Sequence, residues 1–273
     1  MNRPGFTRLV VNADDAGIDA HVDACILRAA RNGILSSATV LANGPTAAQF
    51  IQSANAINLG LGLHFNITEG PPLSDSAKTL TEDAGHFCSP KSDVWLDACG
   101  GFLDPAALRA EATAQWQALT AMGAELTHLD SHNHVHLYPC VLEALLEVLP
   151  RERPLHIRIP HDESCQAKYR PDFPTPHLAP QHMRAMITRA GHFATDHFVG
   201  FQFSCEPTAQ SLSSLQGLAD KTCEWMVHPG ARSRSAFTSC NQREEEFEAL
   251  NSNSLREQIE AWHCEIVRFG DLP

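Results

Sequence analysis

The fold is decided first by the stretch Arg8-Leu-Val-Val-Asn-Ala-Asp-Asp-Ala-Gly17, an apolar β-branched run that ends in two aspartates and a glycine. This composition predicts a strand over residues 8–13 that ends in a turn. Residues 21–31 follow with apolar side chains at helical spacing, and the pair Asn32-Gly33 supplies a stop signal. A strand followed at once by an amphipathic helix is the unit from which parallel α/β folds are built.

The same alternation continues along the chain. Further strands are predicted at residues 37–42, 59–64, 125–129, 155–159, 197–201, 224–227 and 264–267. Helices are predicted between them at residues 47–54, 105–122, 139–149, 181–189, 212–219 and 255–262. This order indicates a parallel sheet covered by helices, either a barrel or a doubly wound sheet. No GxGxxG segment favours the wound sheet, so we predict an irregular α/β barrel that forms a single domain over residues 1–273.

One long segment interrupts the alternation. Residues from about 69 to 101 are rich in proline, serine, aspartate and glycine and show no sustained period. Loops of this length are uncommon inside compact domains and are more often functional than idle. We therefore expect a lid or substrate-binding insertion over 69–101.

Charge and composition weaken several functional classes. The 273 residues include 20 basic and 32 acidic side chains, a net charge of −12 with no Lys/Arg-rich run, which disfavours nucleic acid and anionic membranes as partners. No stretch has the character of a signal peptide or a membrane span. The nine cysteines form no CxxC pair, so we expect reduced thiols in a cytoplasmic protein rather than a zinc ribbon.

Ionisable residues lie at the ends of five predicted strands. In a parallel barrel the carboxyl ends of all strands meet at one face, where active sites are built. We therefore expect these residues to form one site, although more than 200 positions separate the first from the last. They are Asp14 and Asp15 after the first strand, His64 in the third, the run 128–136 after the fourth, Arg158 in the fifth and His228 after the seventh.

Histidine is concentrated in the run His128-Leu-Asp-Ser-His-Asn-His-Val-His136. Four histidines and one aspartate alternate there, so an extended conformation would project them to one face, and we predict metal binding by part of the run. One carboxylate with two neutral imidazoles is a hydrolytic ligand set that leaves positions open for water and substrate. Taken singly, Asp14-Asp15 also fits a helix cap or turn, and His64 also fits a hydrogen-bonded structural histidine.

Four segments resemble the signature sequences of the YdjC family of carbohydrate deacetylases, which includes chito-oligosaccharide deacetylases. They are Val11-Asn-Ala-Asp-Asp-Ala-Gly17, Gly62-Leu-His-Phe-Asn66, Thr127-His-Leu-Asp-Ser-His-Asn-His-Val-His136 and Val227-His-Pro-Gly230. The resemblance runs from about Arg8 to Leu272. It implies a distorted (β/α) barrel with parallel strands, similar to the polysaccharide deacetylases, and one divalent metal ion, Mg²⁺ or Zn²⁺. A homodimer is a further family-level expectation.

The resemblance also implies a role for each site residue. The implied metal ligands are Asp15, His64 and His132; the implied catalytic residues are Asp14 as general base, His228 as acid and Arg158 beside the base. Supporting or substrate-binding roles fall to Asp130, His134 and His136. The chain departs from the family at Ala16, where an aromatic residue is usual, so the lining of the pocket is expected to differ.

Together with these residues, the resemblance implies a metal-dependent hydrolase that removes the N-acetyl group from a small acetylated amino sugar and releases acetate. The sugar could be a chito-oligosaccharide, a glycolipid head group or a cell-wall fragment. Two alternatives stay open. The first is a metallohydrolase of a phosphoester or another amide on the same scaffold. The second is a catalytically silent relative that binds carbohydrate or metal.

Overall fold

The computed structural model describes residues 5–81, 85–87, 91–162, 173–200, 215, 217–231 and 243–272. Within these ranges eight strands form one sheet in which every pair is parallel. The order is β5-β4-β3-β2-β1-β7-β6, and β8 also pairs with β1. The strands are β1 (Thr7–Ala16), β2 (Ser37–Val40), β3 (Gly60–Phe65), β4 (Leu126–Ser131), β5 (His156–Ile157), β6 (His197–Val199), β7 (Thr222–Val227) and β8 (Cys264–Ile266).

The sheet curls into a distorted (β/α) barrel around β1. Strand β7 runs along one edge of β1, while β8 and then β2 share the other edge. The two ends of the sheet approach each other where Ile157 donates a backbone hydrogen bond to Phe193 O (2.8 Å) and Phe193 donates one to Leu155 O (2.8 Å). Phe193 lies four residues before the start of β6, so this pair of bonds joins β5 to the segment that leads into β6. The predicted barrel is confirmed.

Helices cover the outside of the sheet. They are α1 (Ala20–Asn32), α2 (Ala47–Ala56), α3 (Lys91–Gly100), α4 (Pro105–Ala121), α5 (Pro139–Val148), α6 (Pro180–Arg189), α7 (Arg243–Leu250) and α8 (Asn253–Ala261). Local signals fix their starts: the side chain of Asp19 caps α1, and Asp104 caps α4 directly before Pro105. None of the helices in the described part of the chain is long and apolar enough to cross a membrane.

The segment 69–101, predicted as a loop, contains regular structure. A 3-10 helix spans Asp75–Leu80 and is capped by Ser74, and α3 follows at the end of the segment. Both elements are short, and their few buried apolar side chains are Ala77, Leu80, Val94 and Ala98. Such short runs give too little periodicity for a sequence signal. Half of the helix predicted at 212–219 lies outside the described residues.

A tight contact between two strands gives a first prediction. A Cβ atom added at Gly62 in β3 would lie 2.5 Å from the imidazole of the paired residue His128 in β4. That imidazole stacks on Phe269 at a centroid distance of 4.1 Å and donates to Asn12 Oδ1 at 2.9 Å, so it has little room to move. We expect Gly62→Ala to lower the free energy of unfolding by about 1–3 kcal/mol in urea denaturation.

The matched control is the same substitution in a His128→Ala background. If the loss arises from the imidazole, Gly62→Ala should cost much less there, because the methyl group then occupies vacated space. An equal loss in both backgrounds would show that the steric explanation is wrong.

A buried carboxylate in α1 gives a pH-dependent prediction. Asp23 accepts hydrogen bonds from Gly17 N (2.8 Å) and Thr46 Oγ1 (2.6 Å), and it thereby holds the chain directly after the two site aspartates. Burial outweighs these bonds and raises the pKa of Asp23 from 3.8 to about 6. The folded state then binds this proton more tightly than the unfolded state does, so protonation of Asp23 stabilises the fold. This stabilisation is complete below about pH 3.8 and is lost as the pH rises through about 6.

We therefore expect Asp23→Asn, which keeps an acceptor but carries no charge, to gain stability relative to the wild type as the pH rises. The relative gain between pH 4 and pH 8 should be at most about 3 kcal/mol, from 1.36 kcal/mol per unit of pKa shift. Thermal denaturation of both proteins over this range measures it, with the exposed Asp97→Asn as control. A stability gap that does not change with pH would contradict the raised pKa.

Candidate active site

The carboxyl ends of five strands bring the predicted site residues together. Asp14 and Asp15 occupy the end of β1 and His64 lies in β3, while His132, Arg158 and His228 directly follow β4, β5 and β7. Five of these six side chains are buried, and His228 keeps a side-chain exposure of 19%. The structure therefore places in one cluster residues that are more than 200 positions apart in the sequence.

Three donor atoms converge at the centre of the cluster. Asp15 Oδ1 lies 3.2 Å from His64 Nε2 and 2.9 Å from His132 Nδ1, and the two nitrogen atoms are 3.3 Å apart. Donors around an ion bound at about 2.1 Å are separated by about 3.0–3.4 Å in octahedral or tetrahedral geometry. Spacing and donor chemistry therefore both fit one divalent ion. A second candidate group in the described chain joins Asp14 and Asp130 to His64, but the guanidinium of Arg158 already contacts both of those carboxylates.

Left-handed backbone conformations produce this convergence. In a regular strand Asp14 and Asp15 would point to opposite faces, but Asp15 has φ 65° and the pairing of β1 with β2 shifts between Ala13 and Ala16. The chain also turns sharply after His132, where Asn133 and His134 both have φ 53°. Non-glycine residues rarely adopt such angles, and when they do they cluster at functional sites. Here the irregular backbone lets two successive carboxylates reach one site.

A carboxylate orients His64 from behind. His64 Nδ1 lies 2.6 Å from Asp130 Oδ1, which leaves Nε2 facing the donor cluster. Burial alone would lower the pKa of His64, but Asp130 outweighs it and raises the pKa to about 10 in the metal-free protein. Asp130 is held in turn by Arg158 Nη2 at 2.7 Å and by the hydroxyl of Thr39 at 3.0 Å. Carboxylate–histidine pairs of this kind commonly support metal-binding histidines.

Asp14 is held in its ionised form. Arg158 binds it through two hydrogen bonds, from Nη1 to Oδ2 at 2.6 Å and from Nη2 to Oδ1 at 2.7 Å, and Asn12 donates a third at 3.0 Å. Burial would raise the pKa of Asp14, but the guanidinium outweighs it and holds the pKa well below its usual range. The carboxylate is therefore available to accept a proton at neutral pH, although its basicity is reduced.

His228 faces Asp14 from the opposite rim of the site. Its Nε2 atom lies 3.9 Å from Asp14 Oδ2. Burial lowers the pKa of His228 to about 4, although Asp14 and Asp15 act in the opposite direction. The imidazole is therefore neutral at pH 7 in the metal-free protein.

Comparison with known proteins identifies the family. A sequence profile described as YdjC-like protein matches residues 8–261. The chain belongs to the YdjC-like family. It is 29% identical to a carbohydrate deacetylase of Brevibacillus brevis over 97% of this chain and 99% of that protein. It is 30% identical to a chitooligosaccharide deacetylase of Yersinia enterocolitica over 96% of this chain and 98% of that protein.

A solved structure shares the fold of this YdjC-like protein. It is described as a cellobiose-phosphate cleavage protein from Enterococcus faecalis, and it superposes with a TM-score of 0.79 at 20% identity. The match covers 97% of this chain and 98% of that one. At this identity the likeness shows the fold alone, and it agrees with the distorted parallel barrel.

The histidine-rich run of the YdjC-like protein does not project to one face as predicted, because β4 ends at Ser131 and a 3-10 turn spans His132–Leu137. His128 donates to Asn12 below the site. His136 donates to Arg158 O at 3.1 Å, and burial lowers its pKa to about 3. The ring of His134 packs edge-on to Phe173. Of the run, only His132 joins the donor cluster, with Asp130 behind it.

In the YdjC-like protein a third carboxylate contacts Arg158, in addition to those of Asp14 and Asp130, and the sequence analysis did not predict it. Glu224 in β7 accepts hydrogen bonds from Arg158 Nε at 2.8 Å and contacts Nη2 at 2.7 Å. Burial raises the pKa of Glu224 to about 7, although Arg158 acts against this. One available signal was an acidic residue inside the apolar run Cys223-Glu-Trp-Met-Val227, since a buried carboxylate needs a polar or cationic partner.

Helix α7 also contributes two residues that the sequence did not reveal. Arg243 Nη2 contacts Asp15 Oδ2, on the side of the carboxylate away from the donor cluster. Glu246, one turn later, accepts the backbone N–H of His228. The segment is dominated by charged residues and has no apolar stripe, so nothing in it predicted a buried helix face. The first turn of α7 thus holds both Asp15 and the segment that carries His228.

Proposed function

We propose that this YdjC-like protein removes the N-acetyl group from an acetylated amino sugar by metal-dependent hydrolysis. The observation that carries the proposal is the donor cluster of Asp15, His64 and His132 beside the ionised carboxylate of Asp14. A metal-activated water next to a general base is the arrangement that hydrolyses amides. The names of the relatives in Brevibacillus brevis and Yersinia enterocolitica support a carbohydrate as the substrate.

The metal would be held by Asp15 Oδ1, His64 Nε2 and His132 Nδ1. Two imidazole nitrogens and one carboxylate oxygen suit Zn²⁺ or another late first-row ion better than Mg²⁺, which prefers oxygen ligands. When bound, such an ion supplies a Lewis acid for the acetamide carbonyl and lowers the pKa of water. We therefore propose Zn²⁺ or another late first-row divalent ion as the cofactor.

The chain's own residues move the proton. Asp14 accepts it from the attacking water, and Arg158 with Asn12 holds the carboxylate in place. The hydroxyl adds to the acetamide carbon, the C–N bond breaks, and the departing amine requires a proton. His228 delivers that proton; because the imidazole is neutral at rest, it first accepts one from the Asp14 carboxyl across the 3.9 Å that separates them. The products are acetate and the free amino sugar.

Parallel assays for acetate and free amine test the reaction class. We expect stoichiometric release of both from N,N′-diacetylchitobiose in the presence of a divalent ion. A phosphomonoester and a cyclic amide serve as the comparison substrates. Hydrolysis of either of these without acetate release from acetamido sugars would contradict the proposal and would favour another metallohydrolase on the same barrel. Tight sugar binding without product would instead indicate a catalytically silent relative.

A further inference from the structure

A rigid turn carries Glu69 to the edge of the donor cluster. The side chain of Asn66 accepts hydrogen bonds from the backbone N–H groups of Thr68 (2.9 Å) and Glu69 (3.1 Å) and donates to Glu69 O at 2.7 Å. Asn43 donates a second bond to Glu69 O at 3.0 Å. The backbone of Glu69 is therefore fixed on both its donor and its acceptor side.

The Glu69 carboxylate meets the far side of a candidate metal ligand. Its Oε2 atom lies 3.4 Å from His132 Nε2, and its side chain is only 12% exposed. The other nitrogen of the same ring, Nδ1, lies 2.9 Å from Asp15 Oδ1 in the donor cluster. The two nitrogens of His132 thus face two different carboxylates, one inside the cluster and one outside it.

The turns that carry the two residues are tied together. Asn133, directly after His132, donates to the hydroxyl of Thr68 at 2.9 Å. That hydroxyl donates in turn to Asn66 Oδ1 at 3.1 Å. The backbone carbonyl of Asn133 is held from the other side by the indole N–H of Trp95 at 2.9 Å. These hydrogen bonds therefore hold the turn of Glu69 next to the turn of His132.

We propose that Glu69 is a positioning residue for the metal ion, acting through His132. The carboxylate faces Nε2 of the imidazole at 3.4 Å, without the geometry of a hydrogen bond. Its charge favours the tautomer that carries the proton on Nε2, which leaves the lone pair on Nδ1 and increases the donor strength of that nitrogen. Asp130 does the same for His64 from the opposite ring nitrogen, at 2.6 Å. Each of the two imidazoles then has its own orienting carboxylate. The inference rests on the proposed function only in requiring an ion at Asp15, His64 and His132.

Metal affinity, measured without any substrate, tests this role. Metal-depleted wild type and Glu69→Gln are titrated with Zn²⁺ against a chromogenic chelator, and circular dichroism checks that both are folded. Replacement of a carboxylate that supports a metal ligand typically weakens binding 10–100-fold, and we expect a loss in this range. The control is Asp75→Asn, which removes the same charge from an exposed position of the same segment and should change affinity less than twofold.

A second readout separates positioning from direct ligation. The visible absorption of bound Co²⁺ reports the number and kind of its ligands. We expect Co²⁺-saturated wild type and Glu69→Gln to show the same band pattern, because Glu69 faces Nε2 of His132, the ring nitrogen that lies outside the donor cluster. A changed pattern would make Glu69 a ligand and would overturn the positioning role. Equal affinities for Zn²⁺ in Glu69→Gln, Glu69→Ala and wild type would also overturn it.

The outcome for the wild type separates the two proposals. If the wild type binds one ion and Glu69→Gln binds it equally well, only the role of Glu69 fails. If the wild type binds no divalent ion, the metal site itself fails, and the proposed function and the role of Glu69 fail together. If the wild type binds the ion and the affinity falls in Glu69→Gln, the role of Glu69 is supported whatever the substrate turns out to be.

Discussion

Asp14→Asn is expected to reduce acetate release by about 10²–10⁴-fold, the usual contribution of a general base, while the bound ion stays in place. The substitution keeps the size of the side chain but replaces the carboxylate with an amide, which is too weakly basic to accept the proton from water. It should not affect metal binding directly, because Asp14 lies outside the cluster of Asp15, His64 and His132. Arg158 keeps two other carboxylate partners, Asp130 and Glu224, so its position should be maintained.

Two measurements on the same variant check this expectation. Steady-state kinetics give the loss in kcat, and elemental analysis gives the metal content, which should equal that of the wild type. Near-normal turnover would show that Asp14 is not the base and would transfer that role to His228, the titratable group that faces Asp14 across the site. A loss of metal together with activity would mean that Asp14 acts through the ion and not on the water.

His132→Ala has the second large expected effect, which is loss of the ion. One of the three donors that the described residues place in the cluster disappears, so the fall in affinity should exceed the roughly 10–100-fold typical of residues that merely support a ligand. The protein should stay folded, since His132 lies in a turn at the mouth of the barrel and Arg243 still contacts Asp15. Equilibrium dialysis followed by elemental analysis measures the bound ion per chain.

His134→Ala is the matched control for this experiment. It removes a histidine from the same run, two positions further on, whose ring packs against Phe173 rather than joining the cluster. We expect it to retain the ion with nearly unchanged affinity. Full retention of metal by His132→Ala, or equal losses in both variants, would show that the ligand set is wrongly assigned.

The barrel could be predicted from the sequence because each strand and helix carries its own periodic signal. The run from Arg8 to Ala13 predicted β1, and the rule that parallel strands end at one face predicted that Asp14, His64 and Arg158 would meet. These inferences need only the order of the elements and the position of each residue within its element.

The missing parts of the site depend on features that periodicity does not reveal. The left-handed conformation of Asp15 breaks the alternation of β1, so the shared direction of its two carboxylates could not follow from strand geometry. Arg243 comes from a helix without an apolar stripe, and its contact with Asp15 spans 228 positions. Glu69 lies in the segment 69–101, for which the sequence predicted a lid or substrate-binding insertion but no contact with a metal ligand. Each of these depends on tertiary contacts that no local pattern encodes.

Acetate release from N,N′-diacetylchitobiose by metal-depleted protein, before and after restoring Zn²⁺, Co²⁺, Ni²⁺ or Mg²⁺ separately, tests the central claim most directly. The account predicts no release from the depleted protein and recovery that saturates at one ion per chain, strongest with Zn²⁺ or another late first-row ion. Undiminished acetate release after the metal has been removed would contradict it.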